Sequence, residues 1–185
     1  SGTLAGGIFC ANDDFVQLRA QGRALFPVYE NDQGLEHVVQ VSASMDWAEA
    51  YGRSEAVFVG RRYFMGGRNL RGFDVRRAGP TEFGNPVGGE AMLLASVEYQ
   101  VPFIQRRGAG RTDVREAMRL VGFVDYGQLG TSFTDRTFDE FRMSAGFGVR
   151  IFIEELGIPI RIELGWPLFF EETDDRRQLF FTLSR

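Results

Sequence analysis

Long stretches of strict apolar–polar alternation constrain this chain more than any other feature. Successive side chains of a strand point to opposite faces, so each stretch carries one apolar and one polar face. From His37 to Trp47, Val39, Val41, Ala43, Met45 and Trp47 share a face, while Gln40, Ser42, Ser44 and Asp46 share the other. From Ala91 to Phe103, Leu93, Ala95, Val97, Tyr99 and Val101 fall with the two end residues, opposite Ser96, Glu98 and Gln100. Between Phe15 and Val28, Val16, Leu18, Ala20 and Phe26 oppose Gln17, Arg19, Gln21 and Arg23. From Phe141 to Ile153, Met143, Ala145, Phe147, Val149 and Ile151 oppose Arg142, Ser144, Gly146, Gly148 and Arg150. Ile158 to Trp166 puts Arg161 and Glu163 on its second face. Met118–Gly127 and Arg177–Arg185 complete the set of strands, and Thr3–Phe9 reads as the end of one more.

An all-β fold follows. The stretches are about 9–14 residues long, whereas globular strands average about 5–6 and tilted membrane strands need about 9–11. Aromatic residues gather near strand ends: Phe26, Tyr29, Trp47, Phe103, Trp166, Phe169 and Phe170. A soluble sandwich would alternate in the same way, with its polar faces in water. Strand length and the aromatic ends favour a transmembrane antiparallel barrel with interfacial girdles.

Composition removes several other classes. The 185 residues are enough for one domain with a sizeable core, and 23 glycines with 18 phenylalanines suit many turns and an aromatic-rich wall. A net charge of −4 argues against a partner bound through bulk positive charge, so no nucleic acid is expected. One cysteine, Cys10, excludes a disulfide framework or four-cysteine zinc site, and one histidine, His37, excludes HExxH zinc chemistry. No catalytic constellation, cofactor site or metal site is expected. No run approaches the roughly 20 apolar residues of a spanning helix, and Ser1–Leu4 lacks the basic start and apolar segment of a signal peptide.

The connections differ in length. Glu30–Gly34 and Glu154–Gly157 are short turns, Gln128–Glu140 and Phe169–Arg176 are intermediate, and Ala48–Glu90 is far longer than a structureless loop should be. Outer-membrane barrels pair short periplasmic turns with longer outside loops, which places the 48–90 insertion outside. Ile104–Ala117 then falls on the short-turn side and is long for it.

The insertion contains Arg61-Arg62-Tyr63-Phe64-Met65-Gly66-Gly67-Arg68-Asn69-Leu70-Arg71-Gly72-Phe73. It closely resembles the signature of the BamA / bacterial surface antigen superfamily of outer-membrane assembly barrels, an rF-x-GG stretch followed by (V/L)RG(F/Y). The resemblance continues through Gly88-Gly89-Glu90-Ala91, Ser96-Val97-Glu98-Tyr99, Gly122–Gly127, Phe141–Gly146, Gly157-Ile158-Pro159-Ile160-Arg161 and Gly165-Trp166-Pro167-Leu168. Each string is short, and their shared order over nearly the whole chain carries the likeness. It implies the C-terminal half, about eight of sixteen strands, of a barrel in a Gram-negative-type outer membrane, with the remaining strands and POTRA domains upstream. It also implies a last strand rich in phenylalanine and ending in an aromatic residue. Gln178 to Ser184 fits that strand and Arg185 departs from the ending, so the family's C-terminus is expected beyond the chain.

The resemblance further implies site residues. The loop of residues 48–90, with Gly66, Gly67, Leu70, Arg71, Gly72 and Phe73, folds back into the lumen as a plug. Arg71 meets two wall carboxylates at the matching positions, Glu98 and Asp125. Strand parity agrees, since Glu98 lies opposite Val97 and Tyr99, and Asp125 opposite Val124 and Tyr126. A planar guanidinium can fork to two carboxylates, which a lysine does less well. Taken alone, an exposed loop arginine and two ordinary lumenal acids would explain these residues; the order of surrounding motifs turns the choice. Gln178, Leu179, Phe180, Phe181, Thr182 and Leu183 would form the strand at a lateral seam, its free backbone groups templating an incoming strand.

Other residues read more plainly. Gly66-Gly67 is no phosphate loop, because no GK[ST] follows. Asp74, Arg76 and Arg77 read as hydrated loop or lumen residues, and Arg142, Arg150, Arg161 and Glu163 as an inward charge ladder with no specific task. Glu171–Asp175 reads as a solvated loop rather than a calcium site, and His37 and Cys10 as incidental. The resemblance implies insertion and assembly of outer-membrane proteins, without an enzymatic step. Its partners would be unfolded outer-membrane proteins, outer-membrane lipid and accessory lipoproteins. Related alternatives are a TamA-like or two-partner secretion translocation barrel. A passive pore and a soluble β-sandwich binding module represent different classes.

Overall fold

A computed structural model of the chain describes residues 2–5, 14–32, 34–52, 56–107, 114–131, 140–153 and 158–183. Its frame is one antiparallel sheet built from β1 (Gly2–Ala5), β2 (Phe15–Glu30), β3 (Glu36–Ala50), β7 (Ala91–Arg107), β8 (Val114–Gly130), β9 (Phe141–Ile153), β10 (Ile158–Phe169) and β12 (Leu179–Leu183). The order in space follows the order in sequence. Short pieces β4 (Gly72–Phe73), β5 (Thr81–Glu82), β6 (Asn85–Pro86) and β11 (Arg176–Arg177) lie in connections. One continuous eight-stranded sheet, accompanied among the described residues only by the two-residue ladders β4–β11 and β5–β6, is the wall of a barrel and not a sandwich.

The alternation sets the register. Val41 pairs with Val97 and Val97 with Val124, so the apolar rows align across neighbouring strands. That outer face leaves Val41, Met45, Val97, Tyr99, Val124, Phe147 and Ile162 exposed. A continuous apolar face of this size belongs against lipid. On the same face Tyr29 meets His37 edge-on, with ring centroids 5.0 Å apart, and His37 Nδ1 lies 2.8 Å from the Tyr99 hydroxyl. Nearer the other strand ends, Phe141 packs between Tyr126 and Phe169, at 5.8 and 5.1 Å. His37 is therefore part of an aromatic girdle and not an incidental turn residue.

Strand boundaries differ most from expectation at three places. β7 and β8 extend to Arg107 and from Val114, pairing Arg107 with Val114. The expected 104–117 connection therefore shrinks to 108–113. The pattern weakens there because irregularities in the ladder at Pro102 and Ile104 interrupt the period of two. The stretch Arg177–Arg185 is split: Arg176–Arg177 pairs with Gly72–Phe73 of the long loop, and only Leu179–Leu183 joins β10. Of Thr3–Phe9, β1 includes Thr3 to Ala5; the remainder, like Cys10, lies outside the described residues.

The long connection from β3 to β7 packs on the inner face of the sheet. Met65, Leu70, Phe73 and Ala78 from the loop form a buried cluster with Met92 and Leu129 from the wall, flanked by Tyr63 and Leu94. The inner face is thus not uniformly polar: beneath the loop it is apolar. Ala48 N–H to Glu90 O (2.7 Å) and Glu90 N–H to Gly130 O (2.9 Å) close the neck of the loop. Burying Met65, Leu70 and Phe73 at 0% exposure is worth about 1.5–3 kcal/mol per side chain. This burial helps hold the loop on the wall.

Candidate functional site

Arg71 sits at the centre of the loop's contact with the wall. Gly72, with φ of +95°, turns the chain there, and its backbone lies directly on Gly165 of β10. A Cβ at Gly165 would stand 2.9 Å from Gly72 N, so two facing glycines permit the approach. That seat points the Arg71 side chain into the inner face of β7, β8 and β10.

The guanidinium forks onto Asp125, Nε to Oδ2 at 2.7 Å and Nη2 to Oδ1 at 2.6 Å, and the Arg71 backbone N–H also reaches Oδ2 at 3.3 Å. Nη1 donates to Glu98 Oε1 at 2.9 Å and to Glu163 Oε1 at 3.0 Å. Ser96 Oγ donates to Asp125 Oδ1 at 2.6 Å and accepts from Arg71 Nη2 at 3.2 Å. One face of the guanidinium lies 3.5 Å from the centroid of the Phe123 ring. Arg71, Glu98, Asp125 and Glu163 are all at least nine-tenths buried. Burial alone would make Arg71 easier to deprotonate. The hydrogen bond and charge of Asp125, with the charges of Glu163 and Glu98, outweigh burial and hold its pKa above the ordinary arginine value.

The structure thus brings Arg71, Glu98 and Asp125 together and adds a third carboxylate, Glu163, so Glu163 has a task and is not merely a rung of an inward charge ladder. Arg150 has a task as well: its Nη2 meets both oxygens of Glu98 at 2.8 Å, turning that carboxylate toward Arg71. Gln100 donates to Glu98 Oε2 at 2.9 Å, and Arg119 donates to Gln100. Room for this comes from glycines on β9. A side chain at Gly146 would overlap the Phe123 ring, and one at Gly148 would overlap Glu163. Strand parity put Glu163 and Arg150 inward; only sheet curvature, which parity does not report, brings β7 and β10 to one guanidinium.

Gly66 and Gly67 both have positive φ, and Asn69 fastens their turn by accepting from Gly66 N–H at 2.9 Å. Leu70 and Phe73 are anchors in the apolar cluster. A second polar anchor lies in the connection from β10 to β12. Asp174, only 6% exposed, accepts from Gly79 N–H at 3.0 Å, Glu171 N–H at 2.8 Å and Arg142 Nε at 3.1 Å. The solvated-loop reading of Glu171–Asp175 therefore fails at Asp174, and Arg142, at 1% exposure, is a fixed partner rather than a ladder rung. Asp74, Arg76 and Arg77 are likewise engaged. Arg177 reaches Asp74, Arg76 stacks over Phe64, and Arg77 donates to Gly84 O at 2.8 Å. Of the seam residues, Leu179–Leu183 form β12, while Gln178 stands just outside it and accepts from Gly165 N–H at 2.9 Å.

A lipid-facing antiparallel wall with an inward loop ion-paired to it is the architecture of an outer-membrane barrel with an internal plug. The Omp85 superfamily domain matches residues 1–185, and the chain belongs to that superfamily. Among solved structures, BamA from Haemophilus ducreyi lacking POTRA domains 1–3 superposes with a TM-score of 0.74 at 20% identity, covering 97% of this chain and 40% of that one. The likeness shows a shared fold, and the chain spans well under half of that protein. No curated protein matches the sequence.

Proposed function

We propose that this chain is the C-terminal half of a BamA-type barrel that inserts and assembles outer-membrane proteins. Its work is gating and templating, with no bond broken. The observation that carries the reading is the Arg71 cluster, a single loop cation held by Asp125, Glu98 and Glu163 from three strands of the wall. Such a cluster sets which arrangement of loop and wall is populated. The short β12 supports the second part of the reading. Among the described residues it pairs with β10 alone, over Ile160–Leu164, and stands last in the strand order, so its other edge can offer N–H and C=O groups to an incoming strand. The partners are unfolded outer-membrane proteins, surrounding lipid, upstream POTRA domains and accessory lipoproteins.

The test uses the complete protein in its membrane. Arg71→Ala and Asp125→Ala should lower the yield of assembled outer-membrane proteins while both variants still reach the membrane and fold. Wild-type assembly by both would remove the mechanism. Loss of export of one secreted protein, with assembly intact, would point instead to a translocation barrel of the TamA or two-partner secretion kind. A large, steady single-channel current would point to a passive pore.

A further inference from the structure

The connection between β10 and β12 touches the plug loop more closely than a surface turn needs to. Arg176 and Arg177 pair with Phe73 and Gly72, the last two residues of the Leu70–Phe73 motif. Asp74 N–H donates to Asp175 O at 2.9 Å, and Asp175 N–H donates to Arg77 O at 3.2 Å. Asp174 then joins three bodies through one carboxylate: the plug through Gly79 N–H, its own turn through Glu171 N–H, and the wall through Arg142. Only Gln178 separates this zipper from β12, and its carbonyl is bonded to Gly165 N–H. Gly165 is also the seat of Gly72.

We propose that residues 170–178 form a clasp that makes the plug loop and the edge strand β12 a single moving unit, with Asp174 as its positioning residue. A plug lifted from Gly165 carries Arg176–Arg177 with it through the β4–β11 pairing. The one-residue link then pulls Gln178 off the same glycine, and β12 loses its upper tether. The reverse holds equally: an edge strand drawn aside by an incoming chain pulls on Phe73. Packed contacts of this kind switch between discrete arrangements and do not stretch. The inference goes beyond the assembly reading, since a translocation barrel would use the same clasp.

Amide hydrogen exchange on the complete protein in lipid bilayers tests this. Asp174→Asn removes the charge facing Arg142 and replaces the shared carboxylate with an amide that keeps a single acceptor oxygen. Exchange should quicken roughly tenfold, the scale of one lost charge-assisted hydrogen bond, in peptides 70–79 and 178–183 together. Peptide 91–101 of the wall should not change. A cysteine pair, Asp74→Cys with Asp175→Cys and with Cys10→Ser, restores both slow rates in the Asp174→Asn background when oxidised, and reduction reverses the rescue. Faster exchange in 70–79 alone, or a disulfide that slows the plug without slowing 178–183, overturns the clasp. If Asp174→Asn does not fold, the cysteine pair is read in the otherwise unchanged chain. Oxidation must then slow both peptides, and an unmoved 178–183 overturns the proposal.

Discussion

Arg71 uses the features that distinguish arginine from lysine. Its planar fork reaches both oxygens of Asp125, a second amino group reaches Glu98 and Glu163, and its flat face rests on Phe123. A lysine, with three donors on one atom and no planar fork, could not match all of these contacts and would leave carboxylate oxygens unpaired in a buried site. Removing one partner from a buried ion pair costs about 3–5 kcal/mol, because the remaining charge is left unpaired. Arg71→Lys should therefore undock the loop nearly as fully as Arg71→Ala. Protease cleavage within residues 66–79 should rise about a hundredfold, the ratio that roughly 3 kcal/mol sets. Native protection in the lysine variant would mean that a positive charge suffices at this position and the planar fork is not required. The cluster was only partly legible in the sequence. Arg71, Asp125 and Glu98 stood out because a motif and strand parity converged on them. Glu163, Arg150, Ser96 and Phe123 did not, because their inward direction says nothing about which residues a curved wall brings within reach.

Elements meet here through glycine more than through side-chain complementarity. Gly72 and Gly165 let a loop backbone rest on a strand backbone, and the nearest neighbours of a Cβ at Gly165 all belong to Arg71 and Gly72. Gly165→Val should push the loop off β10 at a cost of about 1–3 kcal/mol, the usual range for overpacking. Gly165→Ala should do so partially. Gly122→Val is the control, since nothing lies within 4 Å of a Cβ there. Spin labels at Phe83 on the loop and Phe103 on the outer wall read the displacement as a changed distance. An unchanged distance in Gly165→Val would show that the seat is not tight. The alternation marked the faces of these strands well, yet it concealed what covers them. Met92, Leu94 and Leu129 sit inward, where a water-filled lumen would want polar groups, and they make sense only once Met65, Leu70 and Phe73 lie on top. Asp174 was hidden for a related reason: an acidic run reads as solvated until a loop more than ninety residues away supplies Gly79 N–H.

The whole molecule is a sheet with two solvents. Its outer rows must suit hydrocarbon and its inner rows must suit a plug and water, and neighbouring residues on one strand belong to different media. Val41 and Ser42 on β3 make the sharpest comparison. Val41 faces outward midway between His37 of one aromatic girdle and Trp47 near the other strand end, while Ser42 lines the lumen cavity beside Gln40 and Ser44. At about 3.4 Å per residue, the ten steps from His37 to Trp47 span about 34 Å along the strand. A tilt of about 40° reduces this to roughly 25 Å, the height of an outer-membrane apolar band. A charge placed at Val41 must then enter the hydrocarbon near its midplane. Val41→Arg should cost about 2–4 kcal/mol, read as a lower denaturant midpoint for the complete protein folded into phospholipid bilayers. Ser42→Arg, one residue along, should stay within about 1 kcal/mol because its side chain enters a polar, wet space. Equal penalties at the two positions would contradict the lipid-facing assignment. A larger penalty at Ser42 would invert the wall and turn the Arg71 carboxylates toward the membrane, which no ion cluster of this kind could survive.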